Sequence, residues 1–295
     1  MEISVIIPTY KNRGALARAI KSVLSQTFSD VEIIVVDDNG AGSPAQIATA
    51  EIIEEFSDDK RVKYIIHQEN RNGAAARNTG IFASSAEFIA FLDDDDWFYP
   101  EKCELQRNFL LSHPEYEAVY CQGFRKGLLI SSDIPAGSLS REILMGKSYM
   151  FTPSLMFRRN ALLKIGGFDE NFKRHQDYEL LLRYFANGGL IAPVLKPLFE
   201  IGVNDGENII SGKRYEELKN YFLSKFDKAI KSIELSEPGF AKKCYAFHYG
   251  SVFMSYLKNK DITDALRILV KYVPLSPKMF FTPLANSLIS HIHTN

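Results

Sequence analysis

Short apolar runs alternate with helical spacings through the first hundred residues. Residues 3–7 are a β-branched run, and 13–26 set Leu16, Ala19, Ile20, Val23 and Leu24 at helical spacing. Residues 31–36 read as a second strand running into Asp37-Asp38-Asn39-Gly40. Pro44 opens a helix through Phe56, proline being at home in a first turn. Residues 62–66 are a third strand, 73–83 a short helix and 87–92 a fourth strand. Repeated strand–helix units of this length predict an α/β fold, a largely parallel sheet with helices on both faces. Beyond it, 100–111 reads as a helix and 118–122 as a strand; 123–150 is loop with one short helix near 140–145. A strand at 155–157, a helix at 159–164 and an amphipathic helix at 176–186 follow. From Arg214 the pattern is entirely helical, with breaks at Pro238-Gly239, 259–261 and 274–277.

Composition narrows the class. With 46% hydrophobic and 24% charged residues in 295, the chain is globular, one large domain or a domain with an appendage. A secretory leader is not expected, because Glu2 comes at once and the apolar run 3–8 is short. No run approaches the roughly 18 apolar residues of a spanning helix. Cys103, Cys121 and Cys244 are far apart in sequence and fit reduced thiols of a cytoplasmic protein. Charge is uneven. Residues 1–212 carry 22 basic against 29 acidic side chains, a net of −7, and 213–295 carry 13 against 7, a net of +6. An acidic body argues against nucleic acid as a partner.

The strongest chemical signal is Asp93-Asp94-Asp95-Asp96, which ends an apolar strand and precedes Trp97. Four adjacent carboxylates repel one another, and the C-terminal edge of an open α/β sheet is where ligands bind. If the backbone stays extended, Asp93 and Asp95 point the same way. Hard divalent cations take carboxylate oxygens together with substrate phosphates, so a metal site is preferred here to a solvated acidic loop. Tyr10 and Asp38, at the ends of the first two strands, can offer a planar base a flat contact and an acceptor. Equally, Thr9 and Asp37 can simply end strands and cap helices. Asn70-Arg71-Asn72-Gly73 opens a small-residue helix whose N-terminus favours anions, with Arg77 one turn in. There is no P-loop and no dinucleotide fingerprint. Asp177, in the first turn of its helix, is by itself more often a dipole partner than a catalyst.

Together these segments resemble the family 2 inverting glycosyltransferases of GT-A fold. The resemblance is carried by Ser4-Val-Ile-Ile-Pro-Thr-Tyr10, Val35-Val-Asp-Asp38, Asn70 with Gly73 and Arg77-Asn78, Phe91-Leu-Asp-Asp-Asp-Asp96, Gly167-Phe-Asp-Glu170 and Gln176-Asp177, over about residues 3–187. It implies a mixed, Rossmann-like sheet and a catalytic domain at 1–210. Residues 1–100 would hold the nucleotide-sugar and 101–210 the acceptor, with a basic helical region at 211–295. It implies that Pro8, Thr9, Tyr10, Asp38 and Asn70 hold the nucleotide, and that Arg77 lies near base or phosphates. Asp93 would lie near the ribose and Asp94 would face the donor, Asp95 would ligate Mn2+ or Mg2+ as the DXD metal ligand, and Asp177 would be the general base. Two departures stand out: Asp94 occupies a position that is often small, and Gln176 replaces the commoner Glu. Trp97 suits sugar stacking or packing equally, and Thr152-Pro153-Ser154 suits the acceptor side.

The expected reaction moves a hexosyl or N-acetylhexosaminyl group from a nucleotide-sugar, UDP being favoured, to a glycan or lipid-linked glycan acceptor. The setting implied is bacterial surface polysaccharide synthesis. A non-catalytic nucleotide-sugar binding protein is the alternative. A sugar-nucleotide pyrophosphorylase is weaker, because Pro8-Thr9-Tyr10-Lys11-Asn12 has no glycine-rich loop. The basic tail, with Tyr245, Phe247, Tyr249, Phe253, Tyr256, Met279, Phe280 and Phe281, suggests peripheral contact of 213–295 with the cytoplasmic face of an anionic membrane. A helical cap packing on protein, a homo-oligomer included, is the equal alternative.

Overall fold

A computed structural model describes residues 1–11, 14–130, 136–147, 150–172, 174–202 and 210–292, without the side chains of 286–292. The start of the first helix at Arg13, and Asn12 before it, therefore lie outside the described residues. The chain forms two compact units, one of Met1–Leu139 with Ser148–Asp205, the other of Ser140–Lys147 with Gly206–Asn295.

The first unit is built on a nine-stranded sheet. Its strands are β1 (Ile3–Thr9), β2 (Val31–Asp37), β3 (Val62–Ile66), β4 (Phe88–Phe91), β5 (Trp97–Phe98), β6 (Ala118–Arg125), β7 (Leu128–Ile130), β8 (Met156–Arg158) and β9 (Ile191–Ile201). Their order is β3-β2-β1-β4-β8-β6-β9-β5, with β7 paired to β6. The first four strands are parallel, as the pattern predicts. The rest is mixed: β8 runs antiparallel to β4 and to β6, and β9 runs parallel to β6. A largely parallel sheet thus holds only for the half formed by β1 to β4.

Alternation along β2 explains the two cores. Val31, Ile33 and Val35 join one apolar cluster with Leu16, Ala19, Ile20 and Val23 of helix α1 (Leu16–Leu24). Ile34 and Val36 face the other way, against Ala76 of α3 (Gly73–Ala83). Close packing of α3 depends on Gly80, where a Cβ would lie 2.4 Å from Ile6 Cγ2. Between them, Ser43 caps α2 (Pro44–Glu54) by accepting from Gln46 N. The remaining helices of this unit are α4 (Lys102–Ser112), α6 (Arg159–Lys164) and α7 (Gln176–Ala186), plus a 3-10 turn at Thr152–Ser154.

Three strands escape the sequence reading. β5 has two residues, and β7 is the return arm of a tight hairpin whose turn, Lys126-Gly127, has positive φ at both positions. β9 contains Pro193 and Pro197, which argue against a strand; a bulged register opposite Cys121–Gly123 accommodates it.

The second unit gathers α5 (Ser140–Leu144), α8 (Lys213–Lys225), α9 (Asp227–Ser236), α10 (Phe240–Lys258), α11 (Ile262–Tyr272) and α12 (Pro277–Ile292). Its centre is α10, which buries Phe240, Cys244, Ala246, His248, Tyr249, Val252 and Tyr256. Tyr249 stacks on Tyr272 at 3.6 Å, and Phe253 meets Phe280 at 5.4 Å. Gly250 lets α12 approach, since a Cβ there would lie 2.0 Å from Phe280 O. Of the aromatic tail, Tyr249, Tyr256 and Phe280 are core residues, as the packing alternative expects of them. No helix among the described residues is long and apolar enough to cross a membrane.

Candidate active site

The ends of β1, β2 and β4 and the N-termini of α3 and α7 meet at one edge of the sheet. The four aspartates do not continue β4. Asp96 N donates to Asp93 O at 3.0 Å, closing a turn at Asp94 and Asp95. This replaces the expected extended backbone, so strand alternation no longer sets the directions of Asp93 and Asp95. The turn is pinned from outside. Arg18 Nη2 donates to Asp95 O at 2.7 Å while its guanidinium lies 4.0 Å from the Trp97 ring. Gly202 N donates to Asp96 Oδ1 at 2.8 Å, and a Cβ on Gly202 would fall 2.1 Å from Asp95 O. Trp97 therefore packs against Arg18, and Gly202, placed by β9, is required by the turn. Neither Arg18 nor Gly202 carries a sequence signal for this role.

Each aspartate of the turn has its own surroundings. Arg77 Nη2 donates to Asp93 Oδ1 at 2.5 Å. Thr9 Oγ1 donates to Asp94 Oδ2 at 2.6 Å, tying the end of β1 to the turn. Burial, then the charges of Asp95 and Asp93, push the Asp94 carboxyl up to about 6 against the hold of Thr9 and Tyr10 N–H. Asp96 is buried, and its carboxyl is raised well above the usual range by desolvation and by Asp93 and Asp95. Crowded carboxylates in a drying site favour a cation.

Asp38 is buried and serves its own chain. Oδ1 accepts from Arg71 N at 2.8 Å and lies 2.7 Å from His67 Nδ1. Oδ2 accepts from Asn72 N at 2.8 Å and Asn70 Nδ2 at 2.9 Å. Asp38 and Asn70 thus shape the loop before α3, and His67, bound also to Thr79 Oγ1 at 2.9 Å, braces it. Asn72, at φ 89°, caps α3 by accepting from Ala74 N and Ala75 N. Tyr10, half-exposed, is left as the flat surface beside that loop, with Pro8 partly buried behind it.

The helix carrying Asp177 is locked to this edge through α3. Asn78 Nδ2 donates to Phe168 O at 2.9 Å and its Oδ1 accepts from Phe168 N at 2.8 Å. Gly167, at φ +68°, must be glycine, since a Cβ would sit 2.3 Å from Asn78 Oδ1. Phe168 packs edge-on against Phe91 at 5.2 Å, and Arg77 lies over its other side at 5.5 Å. Asp177, in the first turn of α7, has its carboxyl pushed up to about 6 by burial. Tyr178 N–H and Arg77 pull it down, and Asp93 pushes it up. A carboxyl poised near 6 suits proton abstraction close to neutral pH.

Among the described residues no group of three or more His, Cys, Asp or Glu side chains is arranged to hold a metal. The donor set still fits a hard divalent ion, because such ions are held by one or two carboxylates plus phosphate oxygens. A crowded carboxylate turn with raised Asp94 and Asp96 is the kind of site that gains from a cation.

The model of the family described as Glycosyl transferase family 2 matches residues 4–165. An uncharacterized glycosyltransferase of Rickettsia conorii is 35% identical over 218 residues, 70% of this chain and 34% of that protein. The chain therefore spans about a third of the length of that relative. The GalNAc(5)-diNAcBac-PP-undecaprenol β-1,3-glucosyltransferase of Campylobacter jejuni is 40% identical over 97 residues, 32% of this chain and 30% of that one. Residues 1–349 of S. aureus TarS, solved with UDP-GlcNAc, superpose with a TM-score of 0.63 at 18% identity, covering 92% of this chain and 91% of that one. That likeness supports a GT-A fold, and the family match places the chain: it belongs to glycosyl transferase family 2.

Proposed function

We propose that this glycosyltransferase moves a sugar from a UDP-sugar to an acceptor hydroxyl in one inverting displacement. The observation that carries the reading is the raised carboxyl of Asp177, held at the edge where Arg77 and Asp93 also lie. Asp177 takes the acceptor proton, the acceptor oxygen attacks the anomeric carbon, and the bond to the diphosphate breaks with its electron pair. No enzyme nucleophile is needed. Tyr10, Pro8 and Thr9 line the nucleotide side, and Asp38 and Asn70 hold the loop beside them. Asp93 lies on the ribose side and Asp94 on the donor side of the turn, and Asp95 is the residue that would hold Mn2+ or Mg2+. When bound, such an ion spreads the charge that builds on the leaving diphosphate.

UDP is supported by the UDP-GlcNAc bound to the TarS neighbour, and a lipid-linked glycan acceptor by the Campylobacter relative's name. The placement of catalysis in residues 1–210, with the donor on 1–100, is part of the same proposal, as is work on surface polysaccharide in the cytoplasm. A peripheral membrane contact of 213–295 would rest on its net positive charge and on the exposed Ile262, Leu266 and Val270 of α11, no longer on the aromatics. The test is a panel of nucleotide-sugars scored for manganese-dependent hydrolysis, which needs no acceptor. Hydrolysis of a UDP-sugar above the others supports the reading; UDP-sugars left intact while a GDP- or dTDP-sugar turns over would remove UDP from it.

A further inference from the structure

Arg77 is the residue at this edge with the most demanding surroundings. It is 8% exposed, and its two terminal nitrogens are both engaged. Nη2 donates to Asp93 Oδ1 at 2.5 Å, and Nη1 donates to Gln176 Oε1 at 2.9 Å. Nε is buried without a hydrogen-bond partner. A donor left dry is unfavourable, so the guanidinium is placed by its two outer contacts and by the Phe168 ring rather than by its own stem. Little of it remains to face a donor.

Gln176 is held at both ends. Its Oε1 accepts from Arg77 and its Nε2 donates to Phe172 O at 3.0 Å. Only an amide can accept at one end and donate at the other; glutamate would set a carboxylate oxygen against the Phe172 carbonyl. Gly73 keeps the same place open, since a Cβ there would lie 3.2 Å from Arg77 Nη1 and 3.6 Å from Gln176 Oε1. The next residue along is Asp177.

We infer that Arg77 is an internal strut joining α3, the acidic turn and α7, and that through Gln176 it positions Asp177 rather than binding the donor. Arg77 and Gln176 are positioning residues acting through the base, and this rests on the reading of Asp177 as base. The strut ties the two halves of the reaction: the turn that meets the diphosphate and the carboxylate that meets the acceptor share one guanidinium. A planar fork is needed for this, and lysine, a single point charge, cannot make both contacts in these directions.

The test uses the full chain with Q176A, Q176E, R77K, R77A and the double variant R77A/Q176A. UDP affinity by calorimetry, donor KM, kcat of transfer and melting temperature are measured for each. Expected for Q176A and R77K is a fall in kcat of about 10–100-fold, with UDP affinity and donor KM within about 2-fold of the parent. Q176E, which keeps the acceptor for Arg77, should recover part of the loss. The double variant should be no worse than its worse parent, because both break one chain of contacts. A product of the two single losses would overturn the strut. So would an R77A protein that binds UDP more than about 10-fold weaker while keeping kcat, since Arg77 would then be a donor ligand. D177N separates the two claims. If D177N transfers normally, the base assignment itself fails; if D177N is inactive while Q176A is unimpaired, the base stands and the strut falls.

Discussion

The sheet edge of the first unit and the helical bundle of the second treat carboxylates in opposite ways. At the edge, Asp94 and Asp177 are pushed up to about 6, chiefly by burial, and Asp96 is raised beyond its ordinary range. In the bundle, Glu216 is pulled down by a two-pronged pairing with Arg267 and a hydrogen bond from Tyr256. Glu237 is held at about 2 by Arg141 and Lys243. Carboxylates that only stabilise are matched with cations of their own chain. At the edge, Asp94 and Asp96 are desolvated beside other carboxylates of the turn, while Arg77 pairs with Asp93 and pulls on Asp177, which is the arrangement expected where an outside cation or a proton must come and go.

The largest contrast should appear on neutralising a turn carboxylate. Asp95→Asn is expected to cut manganese-dependent hydrolysis of the donor about 100-fold; Glu216→Gln, in the bundle, should leave it within about 2-fold. Equal losses in the two variants would erase the distinction. Next comes pH. Because the Asp177 carboxyl titrates at about 6, transfer should fall about tenfold per pH unit below 6 and level off above it. A flat profile from pH 4.5 to 8 would show that no such base limits the rate.

Gly202→Ala sharpens the comparison from the backbone side. Its new Cβ must displace Asp95 O, so donor turnover is expected to drop about tenfold or more while bundle stability is untouched. Smallest is the effect on stability, and its sign differs between the regions. Asp177 is raised on folding, so its ionised form destabilises the fold above about pH 6, and the penalty is relieved as pH falls toward 4. Asp177→Asn should therefore raise stability at pH 8 by about 1–2 kcal/mol, a rise in melting temperature of roughly 2–6 °C, and not at pH 4. Glu216 is lowered on folding, so its contribution is present above its ordinary range and lost as pH falls. Glu216→Gln should lower the melting temperature at pH 8. Shifts of the same sign in a thermal scan would contradict the comparison.

Much of the first unit was legible because period and punctuation agreed. Helices α3, α6 and α7 begin and end where the sequence places them, since Gly73, Arg159 and Gln176 each follow a break in the apolar pattern. β9 was not legible, because its prolines are tolerated only through a bulge that depends on β6. The acidic run announced a site but not its shape. Its turn is imposed by Arg18 and Gly202, which lie 77 and 106 positions away from the groups they bind. Asp38 was found, yet its role in building the 70–72 loop comes from four contacts that no spacing encodes. In the tail, the sequence left a membrane face and a packed cap as equal readings of the aromatic residues, because only the partners α11 and α12 show Tyr249 and Phe253 in packed pairs.

Asp177→Asn, measured for transfer and for UDP binding in the same preparation, tests the central claim most directly. Loss of transfer by about 100-fold or more, with UDP affinity within about 2-fold of the parent, is the expected result. Near-normal transfer, or transfer and UDP binding lost together, would contradict it.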